Sequence, residues 1–524
     1  KLSMKIIPSS QVGRLIPDGA SVLLTGITLG GYAEEAFLQI ERSFLDCGHP
    51  RDLTLYWQAS VGDMATKGLS HICHEGLLAK GVGGHINGCG KVMTEFCRDN
   101  KAAIYNWPQG VCVAMLHAIA AKTPGVVTKI GLKTFMDPRY GGGRMNAAAT
   151  EDLIDLVTLR GEEWLLYKAP KKIDVTLIRG TVADERGNIA MTKEGYKLGQ
   201  LAAAEAARAT GGIVICQVER IVKSGTLHPR LVEVPGVLVD YVYVAQPEYH
   251  WQTAASQFNP VFAGDYKVPL ESIPPVKFDV KKVMARRAAM ELREGYIVNL
   301  GIGTPEYISA VASEEGCSAL FTLSTEAGNI GGVPTVGNDF GCCWNGEAMI
   351  ETAGIFDMYD GGSLDAGCLG FLEVGPNGDL NSSKKEGLGI GVGGFMNIAG
   401  GAKHVVFISS FTAGKPEYQL GNGELHIIRD GTEKKFIRQI AQISFSAEVA
   451  LDQGKDITYV TERAVFKLTP QGLMLTEIAP GIDLQRDILD QMEFTPLLSD
   501  EIKPMPAEIF FETWGGLKAH MTKE

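Results

Sequence analysis

One carboxylate stands out by what surrounds it. Glu326 follows an apolar, β-prone run, Leu320 to Leu323, and opens a loop that carries Gly328, Gly331, Gly332 and Pro334. A strand end that shows a single acid before such a loop sets that acid at the floor of a tight cleft. Residues without a Cβ let a ligand or a second backbone come close. The bland alternative is a turn acid with no chemistry, since strands commonly run into glycine-rich loops. A second stretch has a matching character. Gly387 to Gly394 holds five glycines in eight residues, and a strand-like run, Val405 to Ser409, follows soon after. It reads as a loop of backbone N–H donors for an anion or oxyanion, against a mobile surface turn.

Other candidates are weaker. Ala20 to Thr25 reads as a strand, Gly26 to Gly31 as a glycine loop, and Ala33 to Arg42 has helical periodicity. Strand, glycine loop and helix N-terminus together suit an anion, which makes Gly30 and Gly31 cleft candidates. The spacing Gly26, Gly30, Gly31 is not the G-x-G-x-x-G of a dinucleotide site. Asn106-Trp-Pro-Gln-Gly110 follows an apolar strand, Ala102 to Tyr105, and sets amide side chains, Gln109 among them, at another strand end. His71-Ile-Cys-His-Glu75 matches neither H-E-x-x-H nor a Cys/His finger, so it is read as a helix start, and no metal is expected. His85, after Gly83-Gly84, is read as a structural histidine, because nothing near it in sequence completes a triad.

These residues need a large scaffold. The chain has 524 residues, enough for two to four domains, with 45% hydrophobic and 21% charged residues, an ordinary globular balance. A net charge of −12 argues against nucleic-acid partners and anionic membranes. No apolar run reaches the length of a bilayer span, and the first ten residues lack a signal-peptide core. Ten cysteines without a Cys-x-x-Cys pair, two of them adjacent at 342 and 343, read as reduced thiols in a cytoplasmic protein.

Strands and helices alternate through the first half. Strands are expected at 52–57, 126–132, 175–178, 212–218 and 237–244, with helices at 151–158 and 200–209. The near-continuous apolar runs at 212–218 and 237–244 are what buried parallel strands look like. Periodicity then breaks at Pro260, Pro269, Pro274 and Pro275. Beyond it the pattern restarts: Asp18 to Glu34 is echoed by Glu294 to Glu306, and Ala183 to Asn188 by Gly375 to Asn381. Near the end, strands are expected at 457–465 and 473–478 and a short helix at 483–490. The expected architecture is α/β: two similar open, mainly parallel α/β domains facing each other across a cleft. The first spans 1–265, a linker 266–282, and the second, carrying Glu326, 283–524.

Taken in order, these pieces resemble the class I coenzyme A transferases, and among them the acetate/propionate (short-chain acyl) branch that keeps both halves on one chain. The matching stretches include Asn106–Gly110, Gly131–Arg139, Gln217–Arg220, Pro235–Asp240, Thr325–Gly332, Phe356–Gly362, Gly393–Phe395 and Thr461–Phe466. The order holds from about residue 10 to 510. The resemblance implies a ping-pong transfer of CoA between a short-chain acyl-CoA and a carboxylic acid, through a glutamyl-CoA thioester on Glu326. It implies an oxyanion and CoA-binding loop at Gly391, Gly393, Gly394 and Phe395. Gln109, at its strand end, reads either as a group that polarises an acyl carboxylate or holds the cleft shut, or as a buried amide that satisfies a loop. No cofactor is permanently bound, coenzyme A being substrate and covalent intermediate, and relatives form homodimers or homotetramers. Ser324-Thr325, Ala327 and Asn329 depart from the family's usual residues, which bears on the acyl group more than on the reaction. The competing readings are an acyl-CoA hydrolase on the same scaffold and a catalytically silent binding member of the fold.

Overall fold

The structure is a computed structural model that describes residues 4–27 and 30–523. Thr28 and Leu29 of the expected Gly26–Gly31 loop lie outside the described residues.

Two large sheets carry the chain. The first contains β1 (Lys5–Ile6), β2 (Ser21–Leu24), β3 (Leu53–Trp57), β4 (Leu78–Gly83), β5 (Ala103–Asn106), β6 (Val175–Arg179), β7 (Ile213–Val218) and β8 (Tyr241–Val244). Its order is β1-β8-β7-β6-β2-β3-β4-β5, and every neighbouring pair is parallel. The second contains β9 (Ile297–Leu300), β10 (Thr322–Ser324), β11 (Asn329–Ile330), β12 (Ala348–Met349), β13 (Ala366–Leu369), β14 (His404–Ile408), β15 (Asp456–Val460), β16 (Ala464–Thr469), β17 (Gly472–Ile478) and β18 (Leu497–Pro504). Its order is β12-β11-β10-β9-β13-β14-β15-β16-β17-β18, parallel from β10 through β15, with antiparallel pairs on both flanks and a last parallel pair, β17–β18.

The echo in the sequence is an echo in topology. The run β8-β7-β6-β2-β3 has the same chain order and the same sheet order as β15-β14-β13-β9-β10. In each, the order reverses beside the first strand, between β6 and β2 and between β13 and β9. Open parallel sheets bind ligands at such switch points, outside the carboxyl ends of the strands. All five residues of β6 and all five of β14 are buried, as helices on both faces of a sheet require.

Helix α1 (Glu34–Cys47) follows β2, α2 (Gln109–Ala120) follows β5, and α3 (Gln200–Thr210) precedes β7. In the second half, α4 (Val280–Ala289) precedes β9, α5 (Tyr307–Glu314) follows it, α6 (Thr352–Asp360) precedes β13 and α7 (Phe395–Gly401) precedes β14. One continuous core joins Val111 and Leu116 of α2 with Ile355 and Phe356 of α6 and with Phe395 and Ile398 of α7. The two halves are thus packed against each other through helices that lead directly to the candidate residues.

Several expectations need correction. Residues 151–158 are not helical: Ile154–Leu159 is a strand, paired antiparallel with Glu162–Lys168. Arg160 and Gly161 between them have φ of 54° and 82°, the paired positive angles of a tight hairpin turn. The expected strand 457–465 is two antiparallel strands, β15 and β16, bent apart at Thr461-Glu462-Arg463. There the buried Arg463 guanidinium pairs with Glu462 and Asp430, each at 2.7 Å. No helix starts at His71, which lies within a short 3₁₀ turn, Gly68–Ile72. The span 266–282 is irregular apart from a 3₁₀ turn at 270–272, until Asp279 caps α4 through Lys281 and Lys282 N–H.

Candidate active site

Glu326 sits two residues past the end of β10, beside the switch point of the second sheet. The turn that holds it is locked by backbone bonds from Gly328 N–H to Thr325 O (2.9 Å) and from Thr325 N–H to Asn329 O (2.9 Å). Gly328 has φ of 107°, and a Cβ there would lie 2.1 Å from Ile350 O, so only glycine fits. The turn is also tied to the first half. Asn329 Nδ2 donates to Gly195 O at 2.9 Å, and Ala327 packs among Ile27, Tyr196, Leu198 and Phe262.

The Glu326 side chain is 8% exposed. Burial pushes its carboxyl up to about 7, with the Asn299 amide on β9 opposing. Asn299 is held in turn by Tyr359 of α6, its Nδ2 donating to Tyr359 Oη at 2.9 Å. A carboxylate kept poorly solvated is more reactive towards a carbonyl than one in water, because it has less hydration to lose.

Glu326 lines a cleft of about 310 Å³. One wall is the loop after β9, Gly301, Ile302, Thr304 and Pro305; another is the end of β13, Leu369, Gly370 and Phe371. Gly391 to Phe395 closes a third side, and His85 of the first half reaches in. The lining mixes apolar side chains such as Leu369, Phe371 and Phe395 with polar groups, among them Thr304, Ser382 and Ser409.

The glycine-rich loop is clamped by the first half of the chain. Gly393 N–H donates to Gly84 O (2.7 Å), Gln109 N–H to Gly393 O (2.8 Å), and Ile86 N–H to Ile390 O (2.8 Å). Val392 N–H donates to Asn106 Oδ1 (3.0 Å) and Gly110 N–H to Asn397 Oδ1 (3.0 Å). Gly391 and Gly393 adopt φ of 85° and 53°. This is a rigid loop, and its own N–H groups are largely spent. Gly391 N–H goes to Ser383 O (3.1 Å), Gly393 N–H to Gly84 O, and Phe395 N–H to Val392 O (3.0 Å). Among the described residues no group accepts from Gly394 N–H, so of the four candidates this donor alone remains open.

Gln109 begins α2 and is 1% exposed. Its Oε1 lies 3.4 Å from the position a Gly394 Cβ would take, and Glu326 Oε2 lies 3.1 Å from that same position. Gln109 Nε2 is buried with no hydrogen-bond partner among the described residues. The structure therefore brings Glu326, Gln109 and the 391–395 loop together. It places Gly30 and Gly31 elsewhere, beside Tyr196, Leu198 and Gln252, where they line a small pocket with Arg179 that shares no residue with the Glu326 cleft.

Two residues in the site carried little signal in the sequence. Asn299 is a buried amide inside a strand, a position that reads as core. His85 faces the cleft after all. Gly88 N–H donates to its Nδ1 at 3.0 Å, so the ring is neutral with its proton on Nε2, and burial holds it down at about 4. His71 and His74 hold structure instead: His71 bridges Glu34 (2.9 Å) and Glu41 (2.6 Å), and His74 bonds Glu41 (2.7 Å). Among the described residues no group of three or more His, Cys, Asp and Glu is placed to hold a metal ion.

Comparison with known proteins decides what this geometry belongs to. Residues 7–245 match the family model described as Coenzyme A transferase. The chain is 44% identical to the caffeate CoA-transferase of Acetobacterium woodii, covering 99% of this chain and 100% of that one. It is 38% identical to the acetate CoA-transferase YdiF of Escherichia coli K12, over 97% of this chain and 95% of the relative. The chain belongs to the coenzyme A transferase family. It is a CoA-transferase, an enzyme that moves CoA between an acyl-CoA and a carboxylate. The fold agrees: the crystal structure of the YdiF apoenzyme from E. coli O157:H7 superposes with a TM-score of 0.92 at 37% identity, over 98% of this CoA-transferase and 97% of YdiF. A second YdiF structure, described as a thioester complex with CoA, matches at 0.91.

Proposed function

We propose that Glu326 is the nucleophile of this CoA-transferase and that CoA passes through a thioester on its side chain. The observation that carries this is a buried, glycine-cradled carboxylate facing a cleft, with one uncommitted backbone donor beside it, Gly394 N–H. A Glu326 oxygen attacks the acyl-CoA carbonyl, the C–S bond breaks, and CoA thiolate leaves an acyl–glutamyl anhydride. The thiolate then attacks Glu326 Cδ, the acid leaves as its carboxylate, and a glutamyl–CoA thioester remains. An acceptor carboxylate attacks the same Cδ and expels CoA thiolate, giving a new anhydride. Attack of that thiolate on the new acyl carbonyl yields the product acyl-CoA and returns the Glu326 carboxylate. Each attack forms a tetrahedral oxyanion, which donors held rigid in advance stabilise. The clamped loop supplies that rigidity.

Both intermediates are open to hydrolysis, so water must be kept out. The 8% exposure of Glu326 favours transfer over the hydrolase reading. The donor is a short-chain acyl-CoA such as acetyl- or propionyl-CoA. Acetate in the name of one relative, and the apolar Leu369, Phe371 and Phe395 in the cleft beside Glu326, support that class. We place the enzyme in the cytoplasm as a homodimer or homotetramer. Ten unpaired thiols, nine of them buried, fit a reducing compartment.

The test is to incubate the protein with acetyl-CoA, quench, and measure the intact mass. One CoA adduct per chain, mapped to Glu326 and absent in Glu326→Ala, is expected. No adduct, together with the absence of parallel-line kinetics, rules the proposal out. CoA release without an acceptor acid selects the hydrolase.

A further inference from the structure

The two sheets share a topology, and a ligand cleft in the second occupies its switch point. The equivalent strand ends of the first sheet also surround a cavity, of about 300 Å³. It is lined by Arg179, the last residue of β6, by Glu219 and Ala245, which follow β7 and β8, and by Lys193 and His250. Their counterparts in the second sheet, the ends of β13 and β14, carry Leu369 and Ile408, which line the Glu326 cleft. The two cavities have no lining residue in common.

The chemistry of the first cavity differs from its counterpart: its open groups are donors. Arg179 is 5% exposed, and its Nη1 donates to Trp251 O at 2.6 Å. Its Nε is ion-paired with the buried Glu194 Oε1 at 3.7 Å, too long for a hydrogen bond, so it has no hydrogen-bond acceptor, and Nη2 has none among the described residues. The state of His250 follows from its neighbours. Glu35 N–H (3.1 Å) and Tyr243 Oη (2.8 Å) both donate to Gln217 Oε1, which fixes the amide's orientation. Gln217 Nε2 therefore donates to His250 Nδ1 at 3.1 Å. The ring proton must then sit on Nε2, for which no described residue supplies an acceptor. Lys193 completes the set, bonded to Glu219 at 2.8 Å and lying over the Phe258 ring.

We propose that this cavity is a second small-molecule site, built for a short monocarboxylic acid. The carboxylate takes the Arg179 guanidinium and the His250 Nε2–H, and the alkyl end lies against Ala245, Pro247 and Phe258. Buried donors without acceptors are costly, and a carboxylate answers them with charge-assisted bonds. Glu219 engages Lys193, so the wall offers the Arg179 and His250 donors to one carboxylate and, among the described residues, no free cation to a second, which favours monoacids over diacids. None of this rests on the role of Glu326.

The experiment uses the full-length Glu326→Ala protein, which by the reading above cannot form the CoA adduct, and titrates it calorimetrically with sodium butyrate. We expect one butyrate per chain, with an affinity in the millimolar range. Gln257 is exposed at the cavity mouth, so Gln257→Trp plugs the cavity without touching the core. It should weaken butyrate binding about tenfold or more, as should His250→Phe, which removes the Nε2 donor. Gln257→Trp in the Glu326 background should still form the CoA adduct, which separates this site from the reaction. Butyramide, which lacks the charge, should bind at least about tenfold more weakly than butyrate. Three results overturn the proposal: no butyrate binding to Glu326→Ala at concentrations up to about 50 mM, binding unchanged by Gln257→Trp, or butyramide binding as well as butyrate.

Discussion

Glu326 Oε2 and Gln109 Oε1, from opposite halves of the chain, lie 3.1 and 3.4 Å from the one position that a Gly394 β-carbon would occupy. Gly394 has an ordinary backbone angle, φ of −80°, so alanine there costs no backbone strain and the fold should survive. Its methyl group would instead press on the carboxylate and fill the space an oxyanion needs beside the open Gly394 N–H. Gly394→Ala should therefore lower kcat by about 10²-fold, the size of a lost oxyanion donor. Far-ultraviolet circular dichroism and the unfolding midpoint should be unchanged. Activity within a few-fold of wild type would remove Gly394 from the reacting centre.

The raised Glu326 carboxyl sets a pH dependence. Below about 7 the group is protonated and cannot attack a carbonyl; above it the carboxylate is present. With acetyl-CoA as substrate, kcat/KM should climb through about 7 and flatten on the alkaline side. On the acid limb it should fall about tenfold per pH unit. A flat profile between pH 5.5 and 8, both ordinary assay values, would show that the essential group has a normal carboxylate acidity.

The same burial costs stability. The Glu326 carboxyl is about 7 when folded against an ordinary 4.5 when unfolded. The folded protein therefore holds more protons between these values, and stability falls as pH rises through that window. The full loss, on the order of 3 kcal/mol, is reached above the folded value. Glu326→Gln removes the charge and keeps the shape. It should match wild type near pH 4.5 and be more stable at pH 8 by roughly 3 kcal/mol in denaturant unfolding. It should be inactive. Equal stability of the two at pH 8 would mean that the carboxylate is better solvated than its burial implies.

Much of this was legible in the residues. Glu326 was visible because an apolar strand stopped at an acid and then needed glycines, and Gly328 shows why: Ile350 O leaves no room for a Cβ. The repeat of Asp18–Glu34 at Glu294–Glu306 carried through to two sheets with one topology. What the sequence hid were groups that matter through distant partners. Asn299 works through Glu326 and Tyr359, and His85 through the 391–393 loop, which lies some 300 residues on. Nor could spacing show that the glycine loop's N–H groups are mostly spent, since Gly84 and Ser383 accept them from other segments. Gly30 and Gly31 read as cleft residues because a glycine loop between a strand and a helix N-terminus suits an anion. They lie instead with Arg179 by the first sheet, away from Glu326.

Asn106 is where the coupling of the two halves can be measured. It is fully buried, its Oδ1 accepts from Val392 N–H, and its Nδ2 donates to Gly83 O (2.8 Å) and Gly84 O (2.7 Å). Gly84 O in turn accepts from Gly393 N–H, so one amide supports both strands of the clamp on the glycine-rich loop. Asn106→Ala strands a backbone N–H and weakens two carbonyl contacts in the interior, which should cost about 2–4 kcal/mol of stability. It should also let the loop relax away from Glu326. The expected signature is a fall in kcat larger than any change in KM, with faster amide hydrogen exchange at Val392 and Gly393. Asn106→Asp separates the two roles: a carboxylate still accepts from Val392 N–H but cannot donate to Gly83 and Gly84. If the clamp on the loop is what counts, Asn106→Asp should keep more activity than Asn106→Ala even where it is no more stable. If the two variants lose activity in step with stability, Asn106 acts on the fold alone.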